Sequence, residues 1–441
     1  MTLLKLLPAL ALAACIPALA ADSPAAPATP ASAVIKPILD YARDCQHNSQ
    51  STVCIESIAH ALRDAHSYLS SHGSSTYVIQ IPPGTFDFSD EPRNGGKAMG
   101  KNGDAAIDVS GISPHGGGRL ILQGYGKDLT TLISPIGLTG ITGESISHIT
   151  FAYMTLTRPR LTVSQGVIVD STVPGQLTMD VPAGFPTPLD IYDPDKSGRR
   201  YLRVYTNSKT DPQLVLTPTN GQITWGYRDG TPKPPTPVAD HAGRWIMYLD
   251  HADSLAGPDY APGMLACVKS KAGEGQAYLF NGRGSGGDIV FDNIRWINSS
   301  RGAFRGGLTG IKILNSEVRR APAINGQVPC LATPGGGPQI GQPHDPPTHG
   351  NLVENYYAEG TGDDAVAFFN DDSVPGTPTA SIVRHVNISN SFAREILLAN
   401  SCGVTVQDAH VVGCGPLLGD CPATHVGGPC GLPDKKDRKK K

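Results

Sequence analysis

Residues 289–297 read IVFDNIRWI and residues 311–318 read IKILNSEV, and these two stretches decide the fold. Each alternates apolar and polar side chains, as a half-buried strand does. Asn293 and Asn315 occupy the same place in the two stretches, which sets a repeat length in the low twenties. Related stretches follow at 352–356, 382–388 and 404–411, where Val383 and Val404 recur at nearly the same spacing. A repeat of this length, built from short strands, predicts a solenoid whose stacked coils bury a shared core.

Asparagine suits the corner of such a coil, because it adopts left-handed backbone more readily than most residues. Stacked asparagines can also hydrogen-bond along the axis of the solenoid. The alternative is a β-sandwich with coincidental spacing. Hairpin signals of the Asn-Gly type, such as Asn220-Gly221 and Asn325-Gly326, are few, which favours the solenoid.

The composition of the 441 residues also favours an all-β protein. The chain has 51 Gly and 38 Pro, which helix interiors tolerate poorly and turns tolerate well. Charged residues make up 17%, and the net charge is −3. Because there is no basic surplus, we expect no nucleic-acid partner.

The N-terminus reads as an export signal. Residues 1–20 place one Lys before a short apolar run that ends in Ala18-Leu19-Ala20, a cleavage pattern. The run is too short to span a membrane. We expect a periplasmic or secreted protein. The alternative is a lipoprotein, because Leu12-Ala13-Ala14-Cys15 resembles a lipobox and would leave Cys15 acylated.

Export permits disulfides among the eight cysteines that remain after Cys15. Cys45 and Cys54 are close in sequence, and we predict that they are bridged. Cys267 and Cys330 are left as a long-range pair. The C-terminal four lack the close spacing of a zinc knuckle, so disulfides of unknown connectivity are expected there; they are Cys402, Cys414, Cys421 and Cys430.

Changes in pattern divide the chain. Ile35, Ile38 and Leu39 form a short helical stripe, and a longer helical pattern runs from Ile55 to Leu69. Alternating strands between about 160 and 280 lack the rhythm of the repeat, which predicts an inserted antiparallel β-barrel or sandwich. The predicted divisions are a signal peptide (1–20), a disordered spacer (21–34), a helical cap with the first coils (35–159), the insert (160–280), the remaining coils (281–425) and a basic tail (426–441).

The helical stripe followed by Ile81-Pro82-Pro83-Gly84-Thr85-Phe86 resembles the cap and first coil of the pectate lyase-like right-handed parallel β-helices. More narrowly, the chain resembles the α-1,3-galactosidases of glycoside hydrolase family 110. The points of contact are Phe151 to Arg160, Gln165-Gly166, Val181 to Pro186, Phe304-Arg305-Gly306, Val353 to Tyr356 and Gly360 to Val366. The resemblance implies a right-handed parallel β-helix that hydrolyses terminal α-galactosides with inversion. It also implies a carbohydrate partner, no metal and no cofactor.

That family carries a pair of acids on one coil and a further acid on the coil before. Asp363 and Asp364 match the pair. Counting back one coil reaches Ile340-Gly341-Gln342, which holds no acid, so the nearest candidate is Asp345. The three are the predicted catalytic residues, and a shifted loop would have to present Asp345.

Inversion requires a protonated acid and a carboxylate base about 6.5–9.5 Å apart, and crowded carboxylates help to keep one protonated. Both aspartates can face a groove only if the Gly360-Thr361-Gly362 stretch bends the chain. The alternative for the pair is an ordinary polar turn.

Three further residues are predicted to contact substrate. Arg305 is a candidate for gripping sugar hydroxyls and His344 for a polar contact, although a solvated turn and a loop histidine without a role are the alternatives. Tyr356 is the candidate for stacking on a sugar ring. Core filling is the alternative for one of Tyr356 and Tyr357.

Two rival functions share this scaffold. A polysaccharide lyase would need a calcium cage of acids, and the acids are too scattered outside Asp363-Asp364 to recommend one. A catalytically silent glycan-binding β-helix is the other rival, and the missing acid on the preceding coil is its best support. Fold alone does not decide between these.

Overall fold

The structure of the protein is a computed structural model. It describes residues 33–45, 52–89, 105–136, 139–192, 200–205, 223–228, 231–250, 260–270, 278–281, 286–298, 302–304, 308–341, 348–369, 378–399, 401–412 and 425–427. The predicted signal peptide, the acylation site at Cys15 and the predicted basic tail lie outside these residues, apart from the short strand that ends at Gly427.

The described N-terminal part begins with a strand. Its elements are β1 (Ala33–Pro37), a 3₁₀ helix (Ile38–Asp44), α1 (Ile55–Ser71), β2 (Thr76–Gln80), β3 (Gly84–Asp87), β4 (Ala105–Asp108), β5 (Arg119–Gln123), β6 (Thr130–Ile133), β7 (Thr139–Glu144) and β8 (Ser147–Thr157). Ile35, predicted to be helical, instead lies in β1 opposite Val78 of β2. Pro37 explains the difference, because it biases the intervening Lys36 towards extended backbone and so prevents one helix from running through Ile35 to Ile38. The predicted spacer therefore overlaps the start of β1.

Helix α1 covers the N-terminal end of the core. Its buried face includes Ile58, Leu62 and Leu69, as the helical pattern predicted. Cys54 is the N-cap of the helix and is bridged to Cys45, which confirms the predicted disulfide. The bridge ties the 3₁₀ helix to the start of α1.

The central part is an antiparallel barrel. Its strands are β9 (Val163–Asp170), β10 (Gln176–Asp180), β11 (Arg200–Tyr205), β12 (Ile223–Thr224), β13 (Tyr227–Arg228), β14 (Thr231–Pro232), β15 (Thr236–Pro237), β16 (Arg244–Tyr248) and β17 (Leu265–Ser270). The order is β12-β11-β17-β9-β10-β16-β15, with β13 and β14 paired separately. Gly226 donates its N–H to the Tyr248 carbonyl at 2.7 Å, and Asp250 donates to Thr224 at 3.0 Å. These bonds join β12 to β16, so the sheet closes as a barrel rather than a sandwich.

The C-terminal part returns to parallel strands. They are β18 (Tyr278–Asn281), β19 (Gly287–Ile297), β20 (Gly302–Phe304), β21 (Lys312–Leu314), β22 (Glu317–Arg319), β23 (Gln339–Ile340), β24 (Leu352–Glu359), β25 (Val366–Phe369), β26 (Pro378–Ser389), β27 (Ile396–Ala399), β28 (Cys402–Val412) and β29 (His425–Gly427). β18 pairs with β7, so strands parallel to the N-terminal ones resume at Tyr278.

Two long sheets of parallel strands stack the coils. One runs β1-β2-β5-β8-β19-β21-β24-β26-β28, and the other runs β4-β7-β18-β20-β23-β25-β27-β29. Successive coils therefore contribute neighbouring strands to both sheets, which excludes the sandwich for this part of the chain. Inward side chains form one continuous apolar core along the stack.

The register matches the sequence repeat where the coils are short. Phe291 pairs with Ile313, at the same separation as Asn293 and Asn315. β19 also pairs with β8 across the whole barrel segment, and the rings of Phe151 and Phe291 stack with centroids 5.3 Å apart. Val383 pairs with Val406 instead of Val404, so this coil is longer than the spacing of the two valines suggested.

Asparagines turn the chain at one corner of the stack. Asn293, Asn315 and Asn355 have φ angles of +56°, +51° and +51°. The Asn355 side-chain amide donates to Oδ1 of Asn315 at 3.1 Å. In later coils the same left-handed corner is held by His385 and Asp408, at φ +53° and +49°. The predicted asparagine corner is therefore present, and two other residue types continue it.

Replacing Asn355 tests the corner. Asn355→Ala should lower the free energy of unfolding by about 2 kcal/mol, because left-handed backbone costs alanine roughly 1–2 kcal/mol and the amide hydrogen bond is lost. Asn355→Gly keeps the backbone freedom and should lose only about 1 kcal/mol. Urea unfolding of both variants measures the difference. Equal losses would show that the backbone conformation does not matter there.

Candidate active site

The predicted acid pair lies on the turn between β24 and β25. Gly360 begins this turn with a φ of +59°, in the left-handed region that glycine adopts freely. A Cβ at Gly362 would overlap the Thr333 carbonyl oxygen on the coil before. The bend anticipated from the two glycines is therefore present, and the neighbouring coil packs directly against it.

Hydrogen bonds fix the backbone of this turn. The Asp363 carbonyl accepts from Oγ1 of Thr361 at 3.0 Å and from Oγ of Ser391 at 2.8 Å. The side chains of Thr361 and Ser391 are buried and contact each other at 3.0 Å. Because Ser391 belongs to the following coil, the position of Asp363 is set by two coils together.

The two carboxylates have different surroundings. Asp363 is half-buried, whereas Asp364 is 3% exposed. Nη1 of Arg394, on the following coil, donates to Oδ1 of Asp364 at 3.1 Å. The turn thus holds one carboxylate half-buried and the other against a guanidinium.

The coil before the pair offers glycine instead of an acid. Thr333 pairs with Thr361 and Gln339 with Ala367 in one register, which places Gly335 opposite Asp363. A Cβ at the next residue, Gly336, would come within 2.6 Å of the Asp364 carbonyl oxygen.

The prediction of Asp345 assumed the spacing between Asn293 and Asn315 for every coil. The register shows that the coil before the acid pair is longer. Counting back from Asp363 by the short repeat therefore reached a position too close to it in sequence. The region around Ile340 pairs with Phe368, beyond the turn. Asp345 itself lies outside the described residues.

The coil after the pair supplies an acid that the sequence analysis missed. Val366 pairs with Ile396, which places Glu395 beside Ala365 and next to the turn. Glu395 is 1% exposed. Burial raises the pKa of its carboxyl, and the nearby Asp364 raises it further, while Arg203 of the barrel acts in the opposite direction. A sequence signal existed, because Arg394-Glu395 precedes an apolar strand much as Asp363-Asp364 does.

The barrel packs against coil segments on either side of this turn in sequence. A disulfide joins Cys267 of β17 to Cys330, and Gln165 of β9 accepts from the Cys330 N–H at 2.6 Å through Oε1. Around this disulfide, Tyr205 and Phe392 are buried in one apolar cluster with residues of both parts. Phe392 directly follows Ser391, so the barrel packs against the segment that holds the acid pair.

Two buried cationic side chains of the barrel, Arg203 and Lys269, contact the aromatic ring of Phe392. The guanidinium of Arg203 lies 4.2 Å from the centroid of Phe392, and Nζ of Lys269 lies 3.8 Å from it. Arg203 is 3% exposed and Lys269 is fully buried. Burial lowers the pKa of Arg203, whereas Tyr205, Glu395 and Asp363 act to raise it. Charged groups of the barrel and of the coils therefore share one electrostatic environment.

Tyr356 is a core residue, and its predicted contact with a sugar is wrong. It is 1% exposed, and its hydroxyl donates to the Ala365 carbonyl at 3.2 Å. Burial raises its pKa. The side chain supports the acid-bearing turn from inside. Its neighbour Tyr357 is half-buried, lies under the guanidinium of Arg319 and donates to Glu359 at 3.0 Å.

Removing the Tyr356 hydroxyl tests this supporting role. Tyr356→Phe should cost about 1–2 kcal/mol of stability, because the Ala365 carbonyl loses a buried donor. Thermal unfolding measures it, with Tyr357→Phe as the matched control on the outer face. A larger loss in the control than in Tyr356→Phe would contradict the assignment.

The other predicted site residues lie outside the described residues or beyond what is described of their side chains. Arg305 and His344 belong to the first group, as do Cys414, Cys421 and Cys430. Of Cys402 only the backbone is described. The predicted contacts and C-terminal disulfides stay predictions.

Among the described residues, three or more His, Cys, Asp or Glu side chains do not come together in a way that would hold a metal ion. None of the described helices has the length and apolarity that a membrane crossing requires.

No protein-family model matches the chain, and no curated protein is significantly similar to it. Solved structures show remote likeness. The catalytic unit of a GH87 α-1,3-glucanase from Streptomyces thermodiastaticus is 13% identical with a TM-score of 0.42, covering 90% of this chain and 43% of that one. The Agl-KA catalytic domain is 11% identical with a TM-score of 0.40, covering 91% and 52%.

Pectin methylesterase PemA from Erwinia chrysanthemi is 9% identical with a TM-score of 0.30, covering 90% and 93%. The chain thus spans about half or less of the length of the glucanase and of the Agl-KA domain. Likeness this remote carries no information about the reaction of this chain.

Proposed function

We propose that the protein is an exported glycoside hydrolase that cleaves a terminal α-linked galactose, or a similar sugar, with inversion. The observation that carries the proposal is the turn at Asp363-Asp364. It holds a half-buried carboxylate next to a buried one that binds a guanidinium, where the chain passes from one parallel sheet to the other. Paired carboxylates in unlike surroundings are what acid–base glycoside hydrolysis requires.

The proposed scaffold is a right-handed parallel β-helix with the segment 160–280 inserted as a separate domain. Strand order and parallel pairing support it. The right-handed sense of the coils follows from the general rule for crossover connections between parallel strands. The finer activity, that of family 110 α-1,3-galactosidases, is proposed from the resemblance in the motifs quoted above.

The chemistry follows from the positions of the acids. Equivalent positions on adjacent coils are about 4.8 Å apart, so an acid on a neighbouring coil, with a small offset, reaches the spacing for inversion from Asp363 or Asp364. We propose that Asp363 and Asp364 supply carboxylates for the acid–base chemistry, with Asp345, from the coil before, as the third acid of the family. Cys45–Cys54 and Cys267–Cys330 are compatible with an oxidising compartment, as export requires.

A screen of the secreted protein on nitrophenyl glycosides tests the activity, with proton NMR of the first product to establish its anomeric form. Release of β-galactose from an α-galactoside is the expected result. Retention of the anomeric configuration would contradict the mechanism. An unsaturated product that absorbs ultraviolet light, formed from an anionic polysaccharide, would instead indicate a lyase.

A glycan-binding protein without catalytic activity is the second candidate. Gly335, where the family would place an acid, is the observation in its favour. Glycan-array binding that survives Asp363→Asn, together with no hydrolysis of any glycoside, would support this candidate and exclude the enzyme.

A further inference from the structure

Arg203 and Glu395 approach the acid pair from two different parts of the chain. Arg203 belongs to β11 of the barrel, and Glu395 directly precedes β27 in the coils. Both are almost completely buried, at 3% and 1% exposure. Arg203 lies over the ring of Phe392, a member of the apolar cluster in which the barrel meets the coils.

The two side chains are also poorly satisfied. Nε and Nη1 of Arg203 and Oε1 of Glu395 have no hydrogen-bond partner among the described residues. Burying charged groups without strong hydrogen bonds costs stability, and apolar replacements of such groups are often more stable. Buried charged groups that lower stability are therefore kept where the charge itself has a role. Clusters of such groups concentrate at functional sites.

Each of the two charges reaches the acid pair. Arg203 interacts electrostatically with Asp363 and with Glu395. Glu395 interacts with Asp364 and follows Arg394, which binds the Asp364 carboxylate. The charged and titratable groups that face this region are, from the barrel, Arg203, Tyr205 and Lys269 and, from the coils, Asp363, Asp364, Arg394, Glu395 and Arg320.

We infer that Arg203 and Glu395 are a pair of positioning residues that sets the protonation of the Asp363-Asp364 turn, so that the barrel is part of the active site. The inference rests on the proposed function of that turn. Arg203 contributes positive charge from the barrel, and Glu395 contributes negative charge from the following coil. Their opposed effects hold the two aspartates in unlike protonation states.

The pH profile of hydrolysis distinguishes this role from a structural one. Glu395→Gln removes a negative charge, so the general acid loses its proton more easily and the alkaline limb should move down by roughly one pH unit. Arg203→Met removes a positive charge beside Asp363, so the general base takes up a proton more easily and the acidic limb should move up by a similar amount. Arg244→Met, which breaks a barrel ion pair with Asp180 away from the turn, is the matched control and should move neither limb.

Stability supplies a second readout that needs no substrate. Burial raises the pKa of Glu395 above its ordinary value of 4.5. Glu395 therefore stabilises the folded protein at pH values below 4.5, and this stabilisation is lost as the pH rises through the raised pKa. Glu395→Gln should therefore melt at or above the wild-type temperature at neutral pH, because Arg203 keeps the charge of Asp363 beside it, and the difference should vanish near pH 4. Arg203→Met should melt several degrees lower, because it leaves the buried Glu395 uncompensated.

The double variant Arg203→Met/Glu395→Gln should regain most of the lost melting temperature. Additive changes in the double variant, or limbs that move in the same direction, would overturn the inference. If no glycoside is hydrolysed, the proposed function fails, while the melting temperatures of the four proteins still decide whether the two residues act as a pair.

Discussion

Asp363→Asn and Asp364→Asn should each lower the rate of glycoside hydrolysis by roughly 10²–10⁴-fold, the usual contribution of general acid or base assistance. Asparagine keeps the shape of the side chain but neither accepts nor releases a proton. For Asp363→Asn the melting temperature should stay nearly unchanged, because the side chain is half-buried and the turn is held by its backbone carbonyl.

Asp128→Asn is the matched control, since Asp128 is an exposed carboxylate bound to Arg295 on the coil surface. It should retain full activity. Asp345→Asn decides whether the third acid of the family exists in this chain: a comparable loss would support it, and full activity would remove it from the mechanism. Undiminished hydrolysis in both Asp363→Asn and Asp364→Asn would refute the assignment of the turn.

Removing the disulfide between the barrel and the coils should have the largest effect on stability. Cys267 and Cys330 are 63 residues apart. A loop of that length predicts a loss of roughly 4 kcal/mol for the Cys267→Ser/Cys330→Ser variant, because the unfolded chain gains conformational freedom. The bridge between Cys45 and Cys54 closes only 9 residues, so its double serine variant should lose roughly 2.5 kcal/mol.

Urea unfolding followed by tryptophan fluorescence compares the two variants. Trp225 and Trp245 lie in the barrel segment and Trp296 in the coils, so Trp296→Phe in each background isolates the signal of the barrel. The Cys267–Cys330 variant should lose the barrel signal first. Equal losses in the two variants, or an unchanged barrel transition, would contradict the proposed role of this disulfide.

The sequence predicted those parts of the fold that depend on local pattern. Asn293 and Asn315 marked a corner because asparagine tolerates left-handed backbone, and the pairing of β19 with β21 follows the same spacing. The capping disulfide at Cys45 and Cys54 was predictable for a similar reason, since the partners are close in sequence. The helical stripe at Ile35 failed because Pro37 favours extended backbone before it.

Contacts between coils of unequal length could not be predicted in this way. Lys312 pairs with Leu352 and Val366 with Ile396, and both separations exceed the one between Phe291 and Ile313. A fixed short period therefore selected the wrong neighbour for Asp363 and missed Glu395. The approach of Arg203 depends on how the barrel docks, which no sequence period encodes.

The pairing of β8 with β19 also affects how the chain can fold. Ile149 and Ile289 are paired although the whole barrel lies between them in sequence. Closing that loop costs about 1.6 kcal/mol more in chain entropy than closing one short coil. Val163 and Lys269 are paired neighbours in the barrel, so its prior folding brings the two ends of the loop together. Early folding of the barrel would therefore accelerate the joining of the two halves of the stack, and slow folding would leave both halves with open strand edges on which chains can aggregate.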